Sequence, residues 1–422
     1  MQGFERFGAY LLVLARMCLA LLASRLMHHI LYASPGPTRA LSRRLRCSKH
    51  LQPFFCSLFD LLRAAEAMCF LIGATGPGVT KTGEALIGST SDDPYLFRTF
   101  VHAALPSGDC LGHVGTELVY ATDRSDLEPP FQVEPGEVGR GVNSAGLAFA
   151  IALAVERPKA RTGVPEGRHE PVRFCDVSRR MMNECHTVDD ALNLLQHIPA
   201  ITPAFSVMLA DAEGHLAQVE VGAYGTAVHE RYSKENPGVA IAVNCYQSKE
   251  LNGFNLPEAE LHATQNNNGC RSSRGWDLVQ EQMKQGKLLD VSTFRDILSD
   301  HEHRDRDPAE NPLLKWWGYS ICNHGTRKQD AYEADAAPWG TVSAEVLEPA
   351  KKLLHYNYGW ACGEGAEFQD QLFQSHSWSH FASFRSPSAG EHTGRGGGRP
   401  VACTTVKGEL LAEASQFLCT AF

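Results

Sequence analysis

The stretch "EAMCFLIGATGPGVTKTGEALIGSTSDDPY", residues 66–95, contains two short apolar runs that indicate the fold class. The turn-forming residues "KTGE" separate the runs "CFLIGATG" and "EALIGSTS", which is typical of an antiparallel β-hairpin. The first run opens with the pair Met68 and Cys69, and a poorly globular stretch precedes it. We therefore expect the folded domain to begin at Cys69.

Hairpins and helix pairs alternate along the rest of the chain. The segment "AFSVMLADAEGHLAQVEVG" predicts a second hairpin, and Thr187 with Asp190 three residues later predicts a helix start. Further strands are predicted over "TELVYAT", "LAFAIALAVE", "GVAIAVNCY", "GYSICNHGT", "GTVSAEVLEP" and "KKLLHYNYG", and helices over "FCDVSRRMMNECH", "VDDALNLLQHI", "SSRGWDLVQEQMKQG" and "VSTFRDILSD". This order favours a layered α+β fold over a βαβ repeat.

Charge and cysteine content narrow the function classes. The 422 residues carry a formal net charge of −9, but residues 1–68 hold nine Lys and Arg against three Asp and Glu. The acidic remainder argues against a nucleic-acid partner, because phosphate binding needs clustered basic residues. The 13 cysteines have no CxxC spacing and favour reduced thiols, which indicates a cytoplasmic protein.

Both ends of the chain differ from the middle in composition. Residues 1–68 are interpreted as an N-terminal extension, which is an over-extended gene start, a transit peptide or a membrane anchor. A mitochondrial or membrane-anchored location, and a membrane partner, follow only if that extension is real. Residues 385–422 are rich in Gly and Ser and predict a disordered tail. The predicted domain between them is 69–384.

A cysteine that begins a chain has special chemistry. Its thiol attacks, and its free α-amine, with a pKa near ~8, accepts the proton. An internal cysteine lacks this base, because its nitrogen belongs to a peptide bond. The alternative for Cys69 is a small buried apolar residue that opens a strand.

Five motifs in order resemble the cysteine N-terminal-nucleophile (Ntn) hydrolases, in particular the penicillin acyltransferase-like and choloylglycine hydrolase-like families. The motifs are the Cys69 strand, "GSTSDDP", "GVNSAGL", "AVNCYQS" with "NNNGCRSSRG", and "TVSAEVLEPAKKLLHYNYGWAC". The resemblance implies a four-layer αββα sandwich of two antiparallel sheets flanked by helices. It also implies an Ntn amidohydrolase or acyltransferase.

The resemblance carries four catalytic roles. Cys69 matches the nucleophile, Asp92 the acidic residue near the amine, Asn244 the oxyanion donor, and Arg271 an arginine at a helix start, with Arg274 as its rival. The alternatives are a plain turn for Asp92, a strand-end asparagine for Asn244 and a solvated helix face for the arginines.

Two further residues are expected to bind substrate. These are Asn143 in "GVNSAGL" and Trp317 in "KWWGYSICNHG". Trp317 would form one wall of an acyl pocket, and the alternative is that it packs in the core. The chain also departs from the family pattern. It has Ser89, Thr90, Phe70, Leu153 and Cys245 where the families have Arg, Asn, Thr, Asn and His respectively.

The expected reaction is cleavage of a linear amide, other than a chain peptide bond, through an acyl thioester on Cys69. Water would give hydrolysis and an amine would give acyl transfer. The expected partner is a small N-acyl amide, with acyl-CoA as donor only if the resemblance extends to the pocket. No metal or organic cofactor is expected. The alternatives are a dipeptidase or secernin-like Ntn peptidase, and a non-catalytic membrane-anchored scaffold.

Overall fold

The computed structural model describes residues 69–94, 97–120, 138–157, 171–256, 268–300, 320–323, 339–362 and 382–386. All of them belong to the compact unit Ala64–Phe422. The predicted extension 1–68, Trp317 and the predicted tail beyond residue 386 lie outside the described residues.

The first sheet contains the strand that follows Cys69. Its six strands run antiparallel in the order β12-β1-β2-β13-β14-β15. They are β1 (Phe70–Thr75), β2 (Leu86–Pro94), β12 (Gly238–Ala242), β13 (Trp339–Glu348), β14 (Leu353–Tyr358) and β15 (Ala382–Arg385). The predicted β1–β2 hairpin is confirmed, and so is the hairpin over "TVSAEVLEPAKKLLHYNY" in the same sheet.

The second sheet has seven antiparallel strands in the order β11-β10-β9-β6-β5-β4-β3. They are β3 (Phe97–Ala104), β4 (His113–Tyr120), β5 (Val138–Asn143), β6 (Ala148–Leu153), β9 (Phe205–Ala210), β10 (Leu216–Gly222) and β11 (Gly225–Tyr232). The predicted β9–β10 hairpin is confirmed. Two short strands, β7 (Val172–Arg173) and β8 (Ile201–Thr202), form a separate parallel pair.

Four helices lie at the predicted positions. They are α1 (Phe174–Glu184), α2 (Val188–Gln196), α3 (Asn268–Lys284) and α4 (Val291–Leu298). Thr187 and Asp190 form a complete capping box at the start of α2, as their spacing predicts. The strand predicted over "GYSICNHGT" is wrong where the structure describes it, because Ser320–Asn323 do not form a strand. The rest of that segment lies outside the described residues.

Three apolar layers separate four layers of secondary structure. Phe70 and Ile72 of β1 pack towards Phe294 and Leu298 of α4 in one cluster. A second cluster lies between the sheets and includes Cys69, with residues of β6, β9 and β10. A third joins the outer face of the second sheet to α1 and α2. This arrangement confirms the αββα sandwich.

β1 is buried on both faces, which explains its unbroken apolar sequence. Its even-numbered residues face the helices and its odd-numbered residues face the other sheet. Cys69, directly before β1, belongs to the apolar cluster between the two sheets. Among the described residues, no helix is long and apolar enough to cross a membrane.

Candidate active site

Cys69 is held at both of its backbone groups. Its N–H donates to Asn244 Oδ1 at 2.6 Å, and its carbonyl accepts a hydrogen bond from Arg271 Nη1. Asn244 follows β12, which pairs with β1, so the sheet brings together residues 175 positions apart in sequence. Only 6% of Cys69 is exposed, and its nitrogen points to a side chain rather than to a neighbouring strand.

Arg271 reaches the site from the first turn of α3. Its side chain is fully buried, and Nη2 donates to Asn244 Oδ1 at 2.9 Å and to Asn268 Oδ1 at 2.8 Å. Burial lowers the pKa of Arg271, and the negative charges of Asp92 and Cys69 oppose that shift. The rival Arg274 instead pairs with Asp300, with Nε 3.0 Å from Oδ1. The structure thus brings Arg271 to Cys69.

α3 can approach β1 closely because residue 275 is glycine. A Cβ at Gly275 would lie 2.6 Å from Phe70 Cζ and 3.1 Å from Ile241 Cδ1. Gly275 is one helical turn after Arg271 on the same helix. The missing side chain therefore sets the distance between Arg271 and Cys69.

Asp92 lies on β2 and is fully buried. Its Oδ1 accepts a 2.6 Å hydrogen bond from the Thr341 hydroxyl of β13. Thr341 Oγ1 in turn accepts from the Asn323 N–H at 2.8 Å, which fixes the direction of its own proton. The negative charge of Asp92 acts on Arg271, so the acidic residue and the arginine belong to one buried cluster.

Asn244 uses its amide group in two directions. Oδ1 accepts from Cys69 and Arg271, while Nδ2 donates to the Leu153 carbonyl at 2.8 Å. An amide NH₂ carries two protons, so a second donor remains on Nδ2. Leu153, where the families have asparagine, contributes here through its backbone.

An arginine that our sequence analysis missed reaches Cys69 from the second sheet. Arg140 of β5 places Nη2 3.5 Å from Cys69 Sγ, and Nε donates to Ser89 Oγ at 3.1 Å. Its Nε also lies 3.4 Å from Glu345 Oε2 of β13. The available signal was a charged residue within the otherwise apolar and small strand "VGRGVN".

The substrate-binding role predicted for Asn143 does not fit its position. Its Nδ2 donates to the carbonyls of Met182 and Cys185, and Oδ1 accepts N–H groups of the β5–β6 turn, including Gly146 at 3.0 Å. Asn143 is fully buried and therefore ties the turn to α1. Its place in "GVNSAGL" reflects this turn, and we do not propose it further as a substrate ligand.

Two other thiols lie near the cluster, and both favour the protonated form. Burial, together with the charge of Glu220, raises the pKa of Cys245 to about 11. Burial also raises the pKa of Cys322 well above its ordinary value. A protonated thiol is a poor nucleophile, so these shifts favour the less reactive form of both thiols. Within the described residues, no group of His, Cys, Asp and Glu side chains could hold a metal ion.

Part of the sequence matches a known protein family. Residues 129–311 match the acyl-coenzyme A:6-aminopenicillanic acid acyl-transferase family. The family resemblance is confirmed. So is the enzyme class that it implies, an Ntn amidohydrolase or acyltransferase. The matched range contains Arg140, Asn244 and Arg271, and it begins after Cys69 and Asp92. No curated relative matches the sequence.

Three solved structures are similar at low sequence identity. Penicillin V acylase from Agrobacterium tumefaciens is 14% identical over 68% of this chain and 82% of its own, with a TM-score of 0.35. A mutant of conjugated bile acid hydrolase from Clostridium perfringens is 13% identical over 76% and 100%, with a TM-score of 0.37. The Caenorhabditis elegans orthologue of N-acylethanolamine-hydrolyzing acid amidase is 11% identical over 67% and 93%, with a TM-score of 0.34.

Proposed function

We propose that the chain beginning at Cys69 cleaves linear amide bonds through an acyl thioester on the Cys69 thiol. The observation that carries the proposal is the 2.6 Å hydrogen bond from the Cys69 nitrogen to Asn244 Oδ1 inside a buried polar cluster. When no residue precedes Cys69, this nitrogen becomes an α-amine beside its own thiol. The residue then holds both a nucleophile and a base.

Acylation would begin when the α-amine accepts the thiol proton and sulfur attacks the amide carbonyl. A carbon–sulfur bond forms, and the carbonyl electron pair moves to oxygen. The second Nδ2 proton of Asn244 would donate to this oxyanion and stabilise it. As the carbon–nitrogen bond breaks, the α-ammonium returns its proton to the leaving amine, and a thioester remains.

Deacylation would regenerate the thiol. Water attacks the thioester with the α-amine as base and releases a carboxylic acid, or an amine attacks and becomes acylated. Asp92, held by Thr341, and Arg271 would keep the amine and the Cys69 carbonyl fixed through both steps. The substrate would be a small N-acyl amide, and acyl-CoA is the donor to test for the transfer reaction.

The proposed working protein is the domain 69–384, with residues 1–68 absent from the active form. N-terminal sequencing of the native active protein tests this directly and should find Cys69 first. Residues upstream of Cys69 in an active preparation would contradict it. This result also separates the proposal from a non-catalytic scaffold, which would retain an intact chain.

The nucleophile is tested by Cys69→Ala, with Cys185→Ala as the matched control. Cys185 is a buried thiol in the cluster beside α1, and burial raises its pKa to about 11. The substrate panel is penicillin V, a conjugated bile acid, an N-acylethanolamine and other N-acyl amines, with amine release as the readout. We expect loss of turnover and of the acyl adduct only in Cys69→Ala. Wild-type turnover in that variant would refute the assignment.

A further inference from the structure

Ser89 of β2 and Arg140 of β5 form a polar contact between the two sheets. The family pattern has arginine at position 89 of β2, and this chain has Ser89 there. Ser89 is paired with Leu71 of β1 and faces the second sheet. Arg140 enters the same space from β5 and donates from Nε to Ser89 Oγ at 3.1 Å.

The guanidinium of Arg140 is fixed by acceptors on strands β2 and β6. Nη2 donates to the Thr90 carbonyl at 3.2 Å and to the Ile151 carbonyl at 3.3 Å. A further contact of Nη2 is with Cys69 Sγ at 3.5 Å. Because the planar guanidinium is held at several donors, its position beside the sulfur is determined by the fold.

Glu345 balances the charge of Arg140. Its carboxylate is fully buried, accepts the Ser89 hydroxyl at 2.9 Å and the Ser343 hydroxyl at 2.7 Å, and lies 3.4 Å from Arg140 Nε. Burial raises the pKa of Glu345, and Arg140 is the main group that opposes the rise. Replacing a buried ion pair with apolar residues is often neutral for stability, so stability alone does not explain why this pair lies beside a thiol.

We propose that Arg140 is a catalytic residue that stabilises the Cys69 thiolate, and that it supplies from β5 the guanidinium that the family pattern carries at position 89. This inference rests on the proposed function. A positive charge within about 4–6 Å of an ionisable acid favours its charged form. Among the residues that the structure describes, the other charged groups of this buried cluster include Arg271 from α3, Asp92 from β2 and Glu345 from β13. Arg140 lies at contact distance from Sγ itself, whereas Arg271 holds the Cys69 carbonyl.

The test measures the pH at which iodoacetamide alkylates Cys69 at half its maximal rate, by mass spectrometry of the chain that begins at Cys69. The test variant Arg140→Met/Glu345→Gln removes both charges of the pair, so no buried charge is left alone. We expect its midpoint to rise by about one pH unit relative to wild type. Arg140→Lys keeps a positive charge at this position, so its midpoint should stay close to that of wild type. The matched control, Arg180→Met, removes an exposed arginine of α1 and should keep the wild-type midpoint.

The swap variant Ser89→Arg/Arg140→Ser tests the relocation itself. Residue 89 lies opposite Glu345 in the β2–β13 pairing, so an arginine there has the same carboxylate beside it. A midpoint close to wild type supports the proposal, and one as high as that of the Arg140→Met/Glu345→Gln variant contradicts the relocation. An unchanged midpoint in Arg140→Met/Glu345→Gln overturns the proposal. If wild type forms no acyl adduct while the midpoints shift as expected, the proposed reaction and the catalytic role of Arg140 fail, and only its stabilisation of the Cys69 thiolate stands.

Discussion

Replacing Gly275 with alanine should move the helix that holds Cys69. The new Cβ would lie 2.6 Å from Phe70 Cζ and 2.8 Å from Phe70 Cε2, whereas carbon atoms pack at about 3.5–4.0 Å. α3 and β1 would therefore separate by about 1 Å. Overpacking of this kind costs about 1–3 kcal/mol, and the better helix propensity of alanine offsets up to about 1 kcal/mol. We expect a net loss of about 1 kcal/mol in the free energy of unfolding.

The same displacement should reduce turnover far more than stability. Arg271 lies one turn before Gly275, and its hydrogen bonds to Asn244 and to the Cys69 carbonyl would lengthen with the helix. A displacement of 1 Å in a positioned group lowers rates by about 100-fold.

The control for this prediction is Gly269→Ala on the same helix, where a new Cβ meets no atom within 4 Å. Urea unfolding and amine release should separate the two variants. If both have the same turnover and unfolding free energies within about 0.5 kcal/mol, the packing argument is wrong.

Three other changes give distinct outcomes. Asn244→Ala should lower turnover by about 100-fold to 1,000-fold, because it removes an oxyanion donor and the acceptor of the Cys69 nitrogen; a loss of less than tenfold in steady-state kinetics would contradict the role. Thr341→Val should lower the unfolding free energy by about 1–3 kcal/mol and reduce turnover, since Asp92 and the Asn323 N–H lose a buried partner. Its control, Thr226→Val, removes a hydroxyl bond to Leu195 and should keep turnover. Burial and the charge of His102 lower the pKa of His113 from 6.5 to about 4. The fold should therefore lose stability as pH falls from 6.5 to about 4, because the unfolded chain binds the proton more readily. Urea titrations from pH 7 to 4 should show a flatter dependence in His113→Gln, and equal slopes would refute it.

Local patterns predicted most of the fold because they depend on nearby residues. The "KTGE" turn and the Thr187–Asp190 capping box each use contacts within a few positions, and both are confirmed. "GYSICNHGT" failed as a strand where it is described, because Asn323 bonds through its backbone to Thr341 outside a ladder. An apolar run alone does not distinguish a strand from a buried bend.

The site was less predictable because its contacts join distant parts of the chain. Arg140 and Cys69 are 71 positions apart. Arg140 lies on β5 of the second sheet and Cys69 precedes β1 of the first, so neither sequence spacing nor strand pairing connects them. Asn143 was misread for the opposite reason. Its motif belongs to a turn whose acceptors and donors are mostly local, and its side chain has no capacity left for a ligand.

The order of synthesis gives the buried cluster around Cys69 a further consequence. Asn244 and Arg271 lie 175 and 202 positions after Cys69, so the ribosome makes Cys69 long before these two hydrogen-bond partners. At about 5–20 residues per second, the interval is roughly 10–40 s. Throughout that time the Cys69 carbonyl lacks its Arg271 donor, and for most of it the Cys69 nitrogen lacks its Asn244 acceptor. If Cys69 is the proposed nucleophile, a chain that ends before α3 carries its thiol without the complete buried cluster.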